Sequence, residues 1–216
     1  MSAAQPRLEL SIDVFEEKQQ RALVMPTLTA HELIEAIIKE FRSLAYLSGS
    51  PSAYTLRRSR DGAALEPAQP LVQQLTSGDH LVLAEDEPPL PEGTQRPSKH
   101  AYLREEGGDK VYKLHWCPAI IGRPDDTLPH NERLVVNLAS HPRGLRVSRR
   151  HAQISEDNGR FYIQGLSQNA TTIKDAQGGE IRLDNQPVPL EHGQLITLDQ
   201  SQITLKFILR DEGRNT

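Results

Sequence analysis

The sequence predicts a multidomain chain, a small α+β domain followed by an all-β sandwich. Three observations carry that expectation. Leu8, Leu10, Ile12 and Val14 occupy every second position just ahead of a helix signal at Thr29. A proline-rich stretch, DEPPLPEGTQRPS, runs from Asp86 to Ser98. After Pro97 the apolar residues come in short runs separated by turn signals, with no helical stripe among them.

In the first domain, expected over residues 7–86, the alternation from Leu8 to Val14 describes a strand with one buried face, and Gln20 to Met25 can return as its hairpin partner. Thr29 followed by Glu32 makes a capping box, with Leu28 and Leu33 spaced as a hydrophobic staple. Leu33, Ile34, Ile37, Ile38 and Phe41 then form one apolar stripe. Gly49, Ser50 and Pro51 mark the loop after the helix. Tyr54 to Arg57 reads as a strand, Asp61-Gly62 as a turn and His80 to Ala84 as a last strand. This element order resembles the ubiquitin-like β-grasp fold. The segment ends in Glu85, Asp86, Glu87 and prolines, not in a free di-glycine tail, so a covalent-modifier role is not expected. A docking domain is the plainer expectation.

Pro88, Pro89, Pro91 and Pro97 remove backbone donors and favour extended chain, which makes residues 87–98 the expected linker. Composition bounds the rest. A hydrophobic content of 37% supports a packed core, and with only 5% aromatic residues aliphatic side chains must fill it. The single cysteine, Cys117, excludes an intramolecular disulfide framework and a cysteine-based zinc cluster. It fits a reducing, cytoplasmic setting. No apolar run approaches the roughly 20 residues that span a bilayer. The formal net charge is −4, which argues against bulk nucleic-acid binding. Residues 87–216 are neutral overall, yet Arg143, Arg146, Arg149 and Arg150 crowd into eight positions. A local basic cluster in a neutral domain points to a small anionic ligand.

The second domain is expected over residues 99–211. Apolar runs recur at 111–114, 119–121, 134–136, 151–154, 161–163, 195–198 and 203–209. Asp125-Asp126, Pro142-Arg143-Gly144, Asn158-Gly159, Gly178-Gly179 and His192-Gly193 punctuate them. Such spacing suggests a β-sandwich, whose loops gather at its ends. Three of those loops stand out: Gly122-Arg123 after an apolar strand, Ser148-Arg149-Arg150-His151 before the next, and Gln168-Asn169-Ala170-Thr171.

Taken together, I-G-R, S-R-R-H-A and S-Q-N-A-T in this order resemble the forkhead-associated (FHA) domain family, and the stretch from Leu190 to Phe207 is similar to its closing strands. The resemblance implies an eleven-stranded sandwich that binds phosphothreonine peptides at one end. It implies that Arg123 pairs with the phosphate, Ser148 donates its hydroxyl, Arg149 adds a second cation and Asn169 holds the peptide backbone. It places Gln168 beside the phosphate and makes Gly122 and His151 structural supports. The chemistry agrees: a phosphate brings about −1.5 to −2 charges and three acceptor oxygens. A guanidinium offers two parallel donors to them, which an ammonium cannot. Where the family usually has glycine after the asparagine, this chain has Ala170, so a loop that needs a positive φ there would change shape. Arg143, Arg146 and Arg150 read as solvated loop charges.

Catalysis is not expected. Ser148-x-x-His151 lacks a glycine-flanked nucleophile elbow, the eight histidines form no His-x-x-x-His pair, and there is no glycine-rich nucleotide loop. No metal or cofactor is implied. The expected function is therefore a non-catalytic cytoplasmic signalling adaptor. Its partners would be a phosphothreonine-containing protein, with a Ser/Thr kinase upstream, and a second protein at the ubiquitin-like domain. Nucleic acid and direct membrane insertion are not expected. The alternative is a phosphate-independent assembly or scaffold protein, linked to secretion through its first domain.

Overall fold

The computed structural model describes residues 7–210, so residue 211 of the expected second domain lies outside the described residues. The chain divides into two compact units, one running to residue 87 and the other starting at residue 88.

The first unit is a four-stranded sheet with one helix. Strands β1 (Leu8–Val14) and β2 (Glu17–Val24) form an antiparallel hairpin, helix α1 (Ala30–Glu40) follows, and β3 (Tyr54–Arg58) and β4 (His80–Glu85) complete the sheet. The sheet order is β2-β1-β4-β3, with β1 and β4 parallel at its centre. The period of two works as the pattern demands: Leu10, Ile12 and Val14 are buried. They meet Leu33, Ile34 and Ile37 from α1 in one core with Leu56, Leu71, Leu81 and Leu83. The capping box forms in full. Thr29 accepts from the Glu32 backbone amide at 3.2 Å, and Glu32 accepts from the Thr29 amide at 2.8 Å.

The second unit is an all-β sandwich. One sheet takes the order β13-β10-β9-β7-β8, built from β7 (Ala119–Gly122), β8 (Leu134–Asn137), β9 (Arg150–Asp157), β10 (Arg160–Gly165) and β13 (Val188–Leu190). The facing sheet has β5 (His100–Glu105), β6 (Val111–Lys113), β11 (Thr171–Lys174), β12 (Glu180–Arg182), β14 (Leu195–Leu198) and β15 (Ile203–Arg210), in the order β12-β11-β14-β15-β5-β6. Alternate residues of both sheets meet in the interior: Ile121, Ile154, Phe161 and Ile163 from one, Leu103, Ile173, Ile196, Leu205 and Phe207 from the other. The Phe161 and Phe207 rings pack with centroids 5.3 Å apart.

Residues 88–98 group with this second unit and are fastened to it. Gln95 and Cys117 exchange backbone hydrogen bonds of 2.9 and 2.8 Å. Arg96 donates to the His115 carbonyl at 2.9 Å, Arg133 donates to the Glu92 carbonyl at 2.8 Å, and the Ser98 amide donates to Glu156 at 2.9 Å. Within the segment the chain turns at Glu92 and Gly93, where the Thr94 amide donates to the Pro91 carbonyl at 3.2 Å. The bonds to His115, Cys117, Arg133 and Glu156, which composition does not reveal, hold the segment against the sandwich.

Candidate functional site

Four loop segments converge at one end of the sandwich. The first leaves β7 at Gly122. A Cβ on that residue would lie 2.8 Å from the carbonyl carbon of Arg149, 2.9 Å from the Ser148 oxygen and nearer still to the Arg149 oxygen, so only glycine lets β7 approach the 148–149 backbone this closely. The approach carries the hydrogen bond from the Arg123 amide to the Arg149 carbonyl, 3.1 Å. Between Ile121 and Gly122 the pairing with β9 slips from Ala152 to Arg150, so His151 is the extra residue of a bulge.

That bulge turns His151 inward, where it is 1% exposed. The Ser148 amide donates to its Nδ1 at 3.2 Å, so Nδ1 is the acceptor and the proton sits on Nε2, which donates to Thr171 Oγ1 at 3.0 Å. The ring thereby ties the 148 segment to the start of β11. Burial holds its pKa below the usual histidine value, against an opposing hydrogen bond at Ala170 and the charge of Asp199.

Arg123, Ser148, Arg149 and Asn169 line one open depression. Arg123 is half-buried, and its Nε donates to the Val147 carbonyl at 2.7 Å. This fixes the plane of the guanidinium and leaves both Nη nitrogens unengaged by the described residues. Asn169 Nδ2 donates to Ser148 Oγ at 2.9 Å, which leaves the serine hydroxyl hydrogen free for another acceptor. Arg149 pairs through Nε with Asp125 at 2.6 Å while remaining 61% exposed. Two hydrogen bonds from Thr127 and the nearby Arg149 and Arg150 charges hold the Asp125 carboxyl below its ordinary pKa.

Gln168 is exposed and does not line the depression. Leu145, Arg146 and Gln200 do line it, although the sequence reading did not place them there. Gln200 arrives because β11 pairs with β14, which sets the turn after Leu198 beside Ala170: the Asp199 amide donates to the Ala170 carbonyl at 3.1 Å. Ala170 itself is not among the positive-φ residues, so alanine fits this loop without strain. Arg150 differs from its reading as a solvated charge. It donates to the carbonyls of Arg123, Arg149 and Pro129 and to Asn131 Oδ1, and so knits the 123–131 loop together.

The Ser148 hydroxyl does not meet His151, which takes the serine's backbone amide instead. Cys117 is buried, and its thiol is pushed up to about 12, chiefly by burial. Among the described residues no group of three or more histidine, cysteine, aspartate or glutamate side chains is placed to hold a metal. No helix among them is long and apolar enough to cross a membrane. The depression is thus a preformed cradle of guanidinium, hydroxyl and amide donors, suited to binding a small polyanion.

Residues 119–199 match the FHA domain model. Similar solved structures include the FHA domain of human APLF in complex with an XRCC1 bisphospho peptide, at 20% identity and a TM-score of 0.39 over 50% of this chain and 97% of that one. Another is Mycobacterium tuberculosis EmbR in complex with a low-affinity phosphopeptide, at 26% identity and a TM-score of 0.39, covering 51% of this chain and 24% of that one. A third is the FHA domain of an Arabidopsis thaliana hypothetical protein, at 17% identity and a TM-score of 0.41 over 59% of this chain and 99% of that one. No curated protein matches the chain.

Proposed function

We propose that this chain, whose second unit carries an FHA domain, is a non-catalytic adaptor that docks on phosphothreonine-containing proteins through the depression at Arg123. One observation carries the reading. Arg123, Ser148 and Asn169, separated by 25 and 21 positions in the sequence, are delivered to one open cradle whose Nη and hydroxyl donors have no other acceptor among the described residues. In this reading Arg123 takes two phosphate oxygens, Ser148 takes a third, and Arg149 adds charge from the rim. Asn169, already oriented by Ser148, holds the extended peptide backbone through its side-chain carbonyl. Gln168 sits outside the cradle and contributes only if the peptide reaches it.

A phosphothreonine partner implies a Ser/Thr kinase upstream. The sheet order β2-β1-β4-β3, with its central parallel pair and single helix, supports reading the first unit as a ubiquitin-like β-grasp domain that holds a second protein. A cytoplasmic adaptor is consistent with the chain's one buried, unreactive thiol.

Calorimetric titration of the full chain with a degenerate phosphothreonine peptide library tests the proposal. Charge-assisted hydrogen bonds contribute about 1.5–3 kcal/mol each, so Arg123→Ala weakens binding roughly tenfold to more than a hundredfold. Absence of binding, or equal binding of the unphosphorylated library, rejects the proposal.

A further inference from the structure

Leu145 is 83% exposed, the highest value among the large hydrophobic side chains described, and it stands on the lining of the anion cradle. An exposed leucine on a loose loop means little. This one is held outward by a rigid turn. Its neighbour Gly144 is buried, and a Cβ there would lie 3.1 Å from the Leu138 carbonyl carbon and 3.2 Å from the Ala139 oxygen. Two residues on, Val147 is 1% exposed and belongs to the core. The turn closes through the Gly144 amide to the His141 carbonyl at 2.7 Å and the Val147 amide to the Gly144 carbonyl at 2.9 Å.

The turn is braced again from below. The Arg143 amide donates to His141 Nδ1 at 3.0 Å, so the ring's other nitrogen carries a proton and donates to Glu105 Oε1 at 3.0 Å. His141 and Glu105 are 9% and 15% exposed, so water competes little for that pair. Leu145 is therefore pinned between two buried neighbours, with no freedom to fold its side chain back into the core.

The charge of the cradle says what the leucine discriminates. Arg123, Arg146 and Arg149 line it, and Asp125 offsets Arg149, which leaves a balance of three minus one. One phosphate of about −1.5 to −2 satisfies that balance. Further acidic groups on the ligand have no unmatched lining cation to meet, whereas the described residues leave the apolar face of Leu145 uncovered.

We infer that Leu145 selects phosphothreonine peptides carrying a large aliphatic side chain near the phosphorylated residue, with Arg146 reinforcing the phosphate charge whatever the flank. The inference rests on the phosphothreonine reading of the cradle. It is tested by fluorescence anisotropy on the full chain with peptides of one parent sequence. The parent holds phosphothreonine, with Leu, Ala or Asp placed in turn at each of the three positions on either side.

At one position Leu should bind about five- to twentyfold tighter than Ala or Asp, the gain expected from covering one leucine side chain. Leu145→Ser should abolish that preference, so that the Leu, Ala and Asp peptides bind this variant alike. Arg146→Ala should weaken all the phosphopeptides alike. Unchanged melting of both variants, followed by Trp116 fluorescence, shows that the fold is intact. A preference for Leu that survives in Leu145→Ser, a preference for Asp, or equal binding of all flanks by the wild type overturns the inference while leaving the phosphate site standing. Failure of every phosphothreonine peptide to bind the wild type overturns the site and the inference together.

Discussion

Replacing Gly122 by alanine adds one methyl group at the point where the cradle is tightest. Its three nearest neighbours, the Arg149 carbonyl oxygen and carbon and the Ser148 oxygen, are all backbone atoms, the last two only 2.8 and 2.9 Å away. No side chain can rotate aside to make room, so β7 and the 148–149 segment must separate. Overpacking of this kind costs about 1–3 kcal/mol. With a urea slope of about 1–3 kcal/mol per M, the unfolding midpoint of the second unit falls by about 1 M. Trp116, the only tryptophan in the chain, lies in that unit and reports it directly. The separation also stretches the bond from the Arg123 amide to the Arg149 carbonyl, moving Arg123 away from Ser148. Phosphopeptide affinity of the folded variant should therefore drop by about tenfold, measured by calorimetry below the transition. A Gly122→Ala protein that unfolds at the wild-type urea concentration and binds with wild-type affinity would refute the packing argument.

Three further outcomes follow from the same geometry. The unfolded His151 ring titrates near 6.5 and the buried ring below it, so its contribution to stability is complete above about pH 6.5 and is lost as pH falls through the folded value. Proton titration by NMR should place the His151 midpoint below 6.5, with the Ser148 amide signal changing at the same pH as Nδ1 stops accepting; a midpoint at or above 6.5 contradicts the assignment. Glu105→Ala leaves His141 Nε2–H without its buried acceptor and should destabilise the second unit by about 1–3 kcal/mol in Trp116-monitored denaturation, with weakened phosphopeptide binding as the turn at Leu145 loosens. Thr29→Ala removes the N-cap of α1 and should lower the stability of the first unit by about 1 kcal/mol, read by circular dichroism during thermal unfolding.

Much of this was legible because the signals are local. The alternation from Leu8 to Val14 and the Thr29–Glu32 capping box depend on neighbours in the chain, and both form where the pattern places them. Strands such as Glu180–Arg182 are hard to read from sequence because three residues are too short for a period to declare itself, and all three are exposed. In the cradle, the residues carried by short motifs, Arg123, Ser148, Arg149 and Asn169, come together. Gln200 was invisible because it arrives through the pairing of β11 with β14, a contact made between distant segments. Leu145 and Arg146 were obscured differently: whether a loop side chain faces solvent or a ligand depends on how His141 and Gly144 are anchored. Arg150 shows the converse, a charge whose four acceptors lie in backbone and side chains that only the fold gathers.

The most direct test of the phosphate cradle is an NMR titration of the 15N-labelled full chain with a phosphothreonine peptide and its unphosphorylated twin. The phosphopeptide should shift the amides of residues 123, 148, 149 and 169 and the Arg123 Nε–H signal, and the twin should leave them in place. Shifts that fall elsewhere on the sandwich, or that are the same for both peptides, would contradict the account.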